Sequence, residues 1–190
     1  IAVCSSVLLL TGCVRIWQDT LDIRTYMLTV ERGGDALQPV GDQLWIDHVA
    51  VLPPYNVRSL VIRKNDVEFE TSYYSELLMP PAENFRNEFY KWFHASGLFR
   101  EVSITGRERH TLHVSVVEFY ADTSALEAVL AVQVSLFDES SRDHRVLLNR
   151  DYKQVVKIDG PDAAPLIRAY NEALINILKA CEKDVISALR

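Results

Sequence analysis

Two different hydrophobic periods in the second half of the chain restrict what it can fold into. Leu130, Val132, Val134 and Leu136 alternate with Ala131, Gln133 and Ser135. A period of two is what a strand shows when it lays one face on a core. From Pro165 onward Ile167, Tyr170, Leu174, Ile177/Leu178, Cys181, Val185 and Leu189 fall three or four apart, the spacing of a long amphipathic helix with one apolar stripe. A one-sided strand and a one-sided helix each need a cover, and the simplest solution is to cover each other.

The rest of the chain repeats both patterns. Arg24 to Glu31 places Tyr26, Leu28 and Val30 on one side and predicts a strand. Gly33-Gly34 through Pro39 and Gly41 reads as a turn region. Leu44 to Leu52 predicts a strand that Pro53-Pro54 stops. Ser59 to Lys64 and Val67 to Thr71 flank Asn65-Asp66 and predict a hairpin. Tyr73-Tyr74 reads as a strand end packed on the sheet, with a contact site as the other reading. Pro80-Pro81 opens a helix that carries Phe85, Phe89 and Trp92/Phe93 at helical spacing and closes at Gly97. That stripe is read as core; Tyr90 and Trp92 widen it enough to allow part of it to meet lipid or a partner. Phe99 to Ile104, Thr111 to Tyr120 and Arg145 to Ile158 complete the strands, the last pairing with Leu130–Leu136 across the polar turn Asp138 to Asp143. Asp162 is placed to cap the final helix. The outline predicts an α+β two-layer sandwich: an antiparallel or mixed sheet with two helices packed on one face.

The amino terminus is of another kind. Val7-Leu8-Leu9-Leu10 leads into Thr11-Gly12-Cys13, and Ile1 to Gly12 carries no charge. An apolar run of about 7–15 residues is a signal-peptide core, and a membrane span needs roughly 20. Ending on small residues and Cys, it reads as a bacterial lipoprotein signal, in which the Cys13 thiol takes a diacylglycerol thioether and the new amine a third acyl chain. Several chains, at about 0.8 kcal/mol per buried CH₂, anchor a protein durably where one does not. On this reading residues 1–12 are a signal peptide continuing upstream of Ile1, 13–23 are a lipidated tether, and 24–190 form a single α+β domain. Cys4 would leave with the leader, so Cys181 alone could not form an intrachain disulfide. Its place on the last helix's apolar stripe predicts a buried, inert thiol.

Composition and motifs exclude several functions. The apolar fraction of 48% supports a real core, and a formal net charge of −6 argues against nucleic acid as a partner. No Gly-rich phosphate loop, His-Glu-x-x-His or Cys/His metal cluster is present, so no enzyme activity, cofactor or metal is expected. His48, His94, His110, His113 and His144 are scattered, and His110 and His113 should point to opposite faces of one strand. Ser140-Ser141 reads as a solvated hairpin end, and Asp138-Glu139, Glu182 and Asp184 as solvent-facing acids.

Four segments together resemble the ABC-type transport auxiliary lipoproteins, the lipoprotein partners of MCE-type lipid transporters, including the paraquat-inducible kind. They are Leu10-Thr11-Gly12-Cys13 with Tyr26-Met27-Leu28; Ile46 to Tyr55 with Leu60-Val61-Ile62-Arg63 and Val67-Glu68-Phe69; Tyr74-Ser75-Glu76-Leu77-Leu78 through the helix to Ser96-Gly97-Leu98-Phe99-Arg100-Glu101-Val102; and the alternating strand with the final helix. Tyr73-Tyr74-Ser75 replaces a Trp that family members tend to carry before the acid aligned with Glu76. The resemblance implies a non-catalytic periplasmic domain, anchored at Cys13 to the outer membrane, supporting a protein conduit that moves lipid or another apolar molecule between membranes. Its partners would be the membrane through the lipid anchor and an MCE-domain protein with its permease and ATPase, with a homo-oligomer such as a ring also implied. Val14 after Cys13 is compatible with outer-membrane delivery. The other readings are an envelope assembly or structural lipoprotein that partners an outer-membrane β-barrel or cell-wall component, and a lipid-anchored hydrolase, which would need a concave pocket joining Ser, His and an acid in one geometry.

Overall fold

The computed structural model describes residues 22–106, 109–140, 144–160 and 162–190. The leader and Cys13 lie outside the described residues, as does most of the tether. The elements in chain order are β1 Arg24–Tyr26, β2 Gly41–Val51, β3 Ser59–Arg63, β4 Phe69–Leu77, α1 Pro81–Ser96, β5 Phe99–Ser103, β6 His110–Asp122, β7 Glu127–Asp138, β8 Arg145–Lys157 and α2 Ala163–Ala188. They form the expected α+β fold: one mixed sheet of eight strands with two helices against it.

β6 is the strand on which the sheet is built. On one side it pairs antiparallel with β7 along its whole length, and β7 carries β8. On the other side it is shared. Residues His110–Val116 run parallel to β2, which carries β5, while Ala121 and Asp122 run parallel to β3, which carries β4 and then β1. The change of partner falls at a bulge. Val116 opposes Val132 but Glu118 opposes Ala131, so Val117 is extra. An extra residue reverses which side the following side chains take. Leu112, Val114 and Val116 enter the core before it, and Phe119 and Ala121 after it.

Both helices lie on this one face, α1 over β2 and β5, α2 over β7 and β8. Pro81 occupies the first turn of α1, and Gly97 ends it at φ 66, a left-handed conformation that glycine adopts without Cβ penalty. A Cβ there would lie 3.1 Å from the Leu37 carbonyl oxygen. Phe85, Phe89, Trp92 and Phe93 are all buried, so the aromatic stripe is core along its length. Phe119 joins the layers: its ring lies 5.2 Å from Phe85 of α1 and 4.5 Å from Tyr170 of α2.

The amino-terminal segment corrects the sequence reading. The predicted strand Arg24 to Glu31 pairs as a strand only over Arg24–Tyr26, parallel to Ser75–Leu77. Beyond Tyr26 the chain leaves the sheet and lies along the helices. Leu28 and Val30 are still buried, so the alternation is real, but the ladder is made of helix side chains. The Leu28 N–H donates to Asn84 Oδ1 at 2.9 Å and the Leu28 carbonyl accepts from Asn84 Nδ2 at 3.0 Å. The Val30 N–H donates to Glu88 Oε2 at 2.9 Å, and the Thr29 N–H to Asn171 Oδ1 at 3.1 Å. Two residues of extended chain advance about 6.6 Å, close to the roughly 6 Å between side chains four apart on a helix, so Asn84 and Glu88 match Leu28 and Val30.

Two smaller differences concern β4. It runs on to Leu77, so Tyr73 and Tyr74 sit inside the strand and not at its end. Between Ser59↔Glu76 and Val61↔Thr71, Leu60 alone faces Ser72 to Ser75, and this bulged stretch leaves Tyr73 and Tyr74 exposed by 68% and 59%.

Asn84→Ala leaves a buried donor and a buried acceptor of Leu28 without partners, which should cost about 2–4 kcal/mol, whereas Asn171→Ala at the exposed Thr29 bond should cost about 1 kcal/mol or less. Urea unfolding of the two variants checks this ordering.

Candidate functional site

The sheet has a second face, turned away from the helices. Its parity follows from the core positions: Val129, Ala131, Gln133 and Ser135 of β7 point outward because Leu130, Val132, Val134 and Leu136 point in. Past the Val117 bulge, Glu118 and Tyr120 take the outward positions. Val61, Tyr120 and Val129 form a small apolar cluster of their own, separate from the main core.

Aromatic rings gather on this cluster. Tyr55 stacks on Tyr120 at 6.1 Å between centroids, and Phe69 meets Tyr120 edge-on at 5.6 Å. Arg63 Cζ lies 5.9 Å from the Tyr120 centroid, and its guanidinium also reaches the Tyr120 hydroxyl at 3.4 Å. The Tyr120 hydroxyl, with Asp66 and Asp122, holds Arg63 above its ordinary pKa. Burial first, and then the Glu118 charge, pushes the Tyr55 phenol up. Glu118 pairs with Lys153 at 2.5 Å on the neighbouring row. Val155, opposite Val129, and Phe69 are 49% and 42% exposed. The result is a partly exposed aromatic and aliphatic patch framed by paired charges, a surface suited to contact.

The other residues singled out by sequence fall as follows. Cys13 lies outside the described residues. Cys181 is fully buried, and burial pushes its thiol up to about 12. Glu182 and Asp184, expected to face solvent, do not. Glu182 takes a bidentate contact from Arg32 at 2.9 and 3.1 Å and the Trp92 indole N–H at 2.8 Å, and Asp184 accepts from the Tyr152 hydroxyl at 2.9 Å. Trp92 and Tyr152 each bring a buried polar atom to α2, and such atoms need partners. Asp138 is also half-buried: its carboxylate accepts the Ser140 N–H at 2.9 Å and, bonded mainly through Ser140, sits below its ordinary pKa. Ser140 is exposed at the hairpin end as expected, and Ser141 lies outside the described residues. Asp162 occupies the N-cap position of α2, but its side chain makes no capping bond.

The histidines are less scattered than their sequence positions suggest. His48 is exposed, and His94 stacks on Tyr90 at 5.6 Å. His110 is buried on the helix side with Nδ1 3.1 Å from the Gln43 carbonyl oxygen. His113 is on the opposite face, as the strand period requires. There it shares a cavity with His144. Alternation alone could not reveal this, because the second histidine arrives on the next hairpin.

No protein-family model matches the chain, and no curated protein matches it in sequence. Its fold does match solved structures. A Xanthomonas campestris protein assigned to family DUF330 superposes with a TM-score of 0.75 at 18% identity, covering 83% of this chain and 91% of that one. An uncharacterized protein superposes at 0.69 and 15% identity over 85% and 97%. A hypothetical protein from Chlamydia trachomatis superposes at 0.54 and 11% identity over 77% and 99%. The chain thus has the two-layer fold of the DUF330 structure. Among the described residues no helix is long and apolar enough to cross a membrane.

Cys181 is expected to resist a thiol reagent at pH 8 in the native chain and to react at once in denaturant, which a chromogenic thiol assay follows. Because its folded pKa is raised, the stability tied to the neutral thiol is complete below the unfolded value of about 9 and is lost as pH rises toward 12. Cys181→Ala should flatten that part of the alkaline unfolding curve.

Proposed function

We propose that this protein is a lipid-anchored envelope protein, held by acylated Cys13 at the periplasmic face of the outer membrane, and that it acts as a non-catalytic auxiliary component of an ABC/MCE-type lipid transport system. The observation that carries the anchor is the step Leu10-Thr11-Gly12-Cys13 behind an uncharged apolar run. The lipid-transport role rests on the order of segments that resembles the auxiliary lipoproteins. The last three have these places in the fold: Ile46 to Phe69 runs from β2 into the β3–β4 hairpin, Tyr74 to Val102 from β4 through α1 into β5, and the alternating strand and final helix are β7 and α2. The likeness of fold to the DUF330 structure is compatible with this role.

The surface chemistry supports a binding task. The patch around Tyr120 presents rigid rings and an arginine, side chains that dominate interface energetics when buried by a partner. The net charge of −6 gives little attraction to anionic lipid, so the acyl chains and not the surface would hold the domain to its membrane.

The test is fractionation of cells expressing the full chain or Cys13→Ser. The native chain should sediment with membranes, enter the detergent phase on phase partitioning, and yield an acylated Cys13 by mass spectrometry. The variant should yield no acylated residue at position 13 and should keep its leader, since the thiol that takes the diacylglycerol is gone. A native chain whose Cys13 carries no acyl group would overturn the proposal.

A further inference from the structure

Away from the Tyr120 patch, the same sheet face holds a cavity of about 330 Å³ lined by Trp45, Asp47, Thr111, His113, Glu139 and His144. Trp45 and Thr111 are direct partners across β2 and β6. Next to them β2 bulges: Ile46 opposes Leu112 and Val49 opposes Val114, so Asp47 and His48 together face His113. The bulge turns Asp47 onto His113, with Oδ2 3.1 Å from Nε2, and the imidazole leans on Phe137 at 4.9 Å. Across the cavity His144 pairs with Glu139 from a left-handed backbone at φ 43, a conformation uncommon outside glycine.

The residues beneath are unsatisfied. Thr111 is 2% exposed, and its hydroxyl has no hydrogen-bond partner; neither has the buried indole N–H of Trp45. Only one other side-chain atom among the described residues shares that condition, so two of three orphans belong to this one cavity. Buried polar groups without partners are rare and call for a ligand, a water or an ion.

We propose that this cavity binds a neutral sugar ring. The lining chemistry selects against the alternatives. Among the described residues two carboxylates and no lysine or arginine line it, which opposes phosphate and other anions. A hydrocarbon chain leaves both orphans unmet. An ammonium group pairs with Asp47 or Glu139 but offers no acceptor to the Trp45 N–H. A hydroxyl donates to a carboxylate and accepts from an indole at once. A ring of hydroxyls with an apolar C–H face fits acids, imidazoles and an indole together. The volume lies at the lower end of small-ligand sites, about 300–1,000 Å³, which suits one ring. The inference does not depend on the transport role.

Saturation-transfer NMR on the full chain, in a detergent without a sugar headgroup, tests it with glucose, galactose, N-acetylglucosamine, ethanolamine and inorganic phosphate as probes. Transfer to the ring protons of at least one sugar is expected. Trp45→Phe, which keeps a ring and deletes the N–H, and Asp47→Asn should each weaken that sugar about fivefold or more, the worth of one buried hydrogen bond. Thr111→Val separates binding from folding: it should lower the sugar signal while the free chain melts at the same or a higher temperature, because an orphan hydroxyl has been removed. The proposal is overturned if no sugar shows transfer, if ethanolamine or phosphate binds in place of the sugars, or if Thr111→Val lowers the melting temperature.

Discussion

The rest of the structure depends on one extra residue in the middle of β6. A strand of thirteen residues with strict alternation would keep one set of side chains on the core, and the two halves of this sheet could not share it. The bulge at Val117 lets β6 pair with β2 before it and β3 after it, and it hands the core positions from Val116 to Phe119. Phe119 then stands between Phe85 and Tyr170, the contact that ties both helices to the sheet. The same shift turns Tyr120 outward, where Tyr55, Phe69 and Arg63 collect on it. Core and contact patch are two consequences of one change of parity.

A second dependence runs through the amino-terminal segment. Residues Met27 to Arg32 complete the helix layer. Their backbone is bonded to Asn84, Glu88 and Asn171, and Arg32 closes the run on Glu182. On the proposed function the membrane anchor reaches the domain at β1, on the edge of the sheet beside β4, and this segment follows directly. A tether ending in a two-stranded edge would pull on a few backbone bonds. Beyond that edge the hold passes to both helices, through side chains of Asn84, Glu88, Asn171 and Glu182.

Most of the fold was legible because it rests on local periodicity. The strands at Leu130–Leu136 and Arg145–Ile158 and both helices follow from apolar spacing, and Pro80-Pro81 and Gly97 mark the ends of α1. What was not legible is non-local. Nothing near Arg24–Glu31 states that its ladder will be built from Asn84 and Glu88, more than fifty residues later. The bulge at Val117 hides among consecutive valines. The acids at 182 and 184 look like any solvated helix face until Trp92 and Tyr152 arrive from other elements. Trp45, Asp47, Thr111 and His144 come from three separate stretches and carry no common motif. Cys13 is the opposite case: its meaning lies entirely in its neighbours in sequence.

On the proposed function, the open face around Tyr120 is where an anchored, non-catalytic domain meets a lipid-transport partner. The most direct test is photo-crosslinking in intact cells, with a photoreactive aromatic residue in place of Tyr120 in the full chain, followed by affinity capture and mass spectrometry. The expected result is recovery of an MCE-domain protein together with its permease and ATPase, crosslinked at that position. Recovery of only a β-barrel or a cell-wall protein at the same position would contradict it.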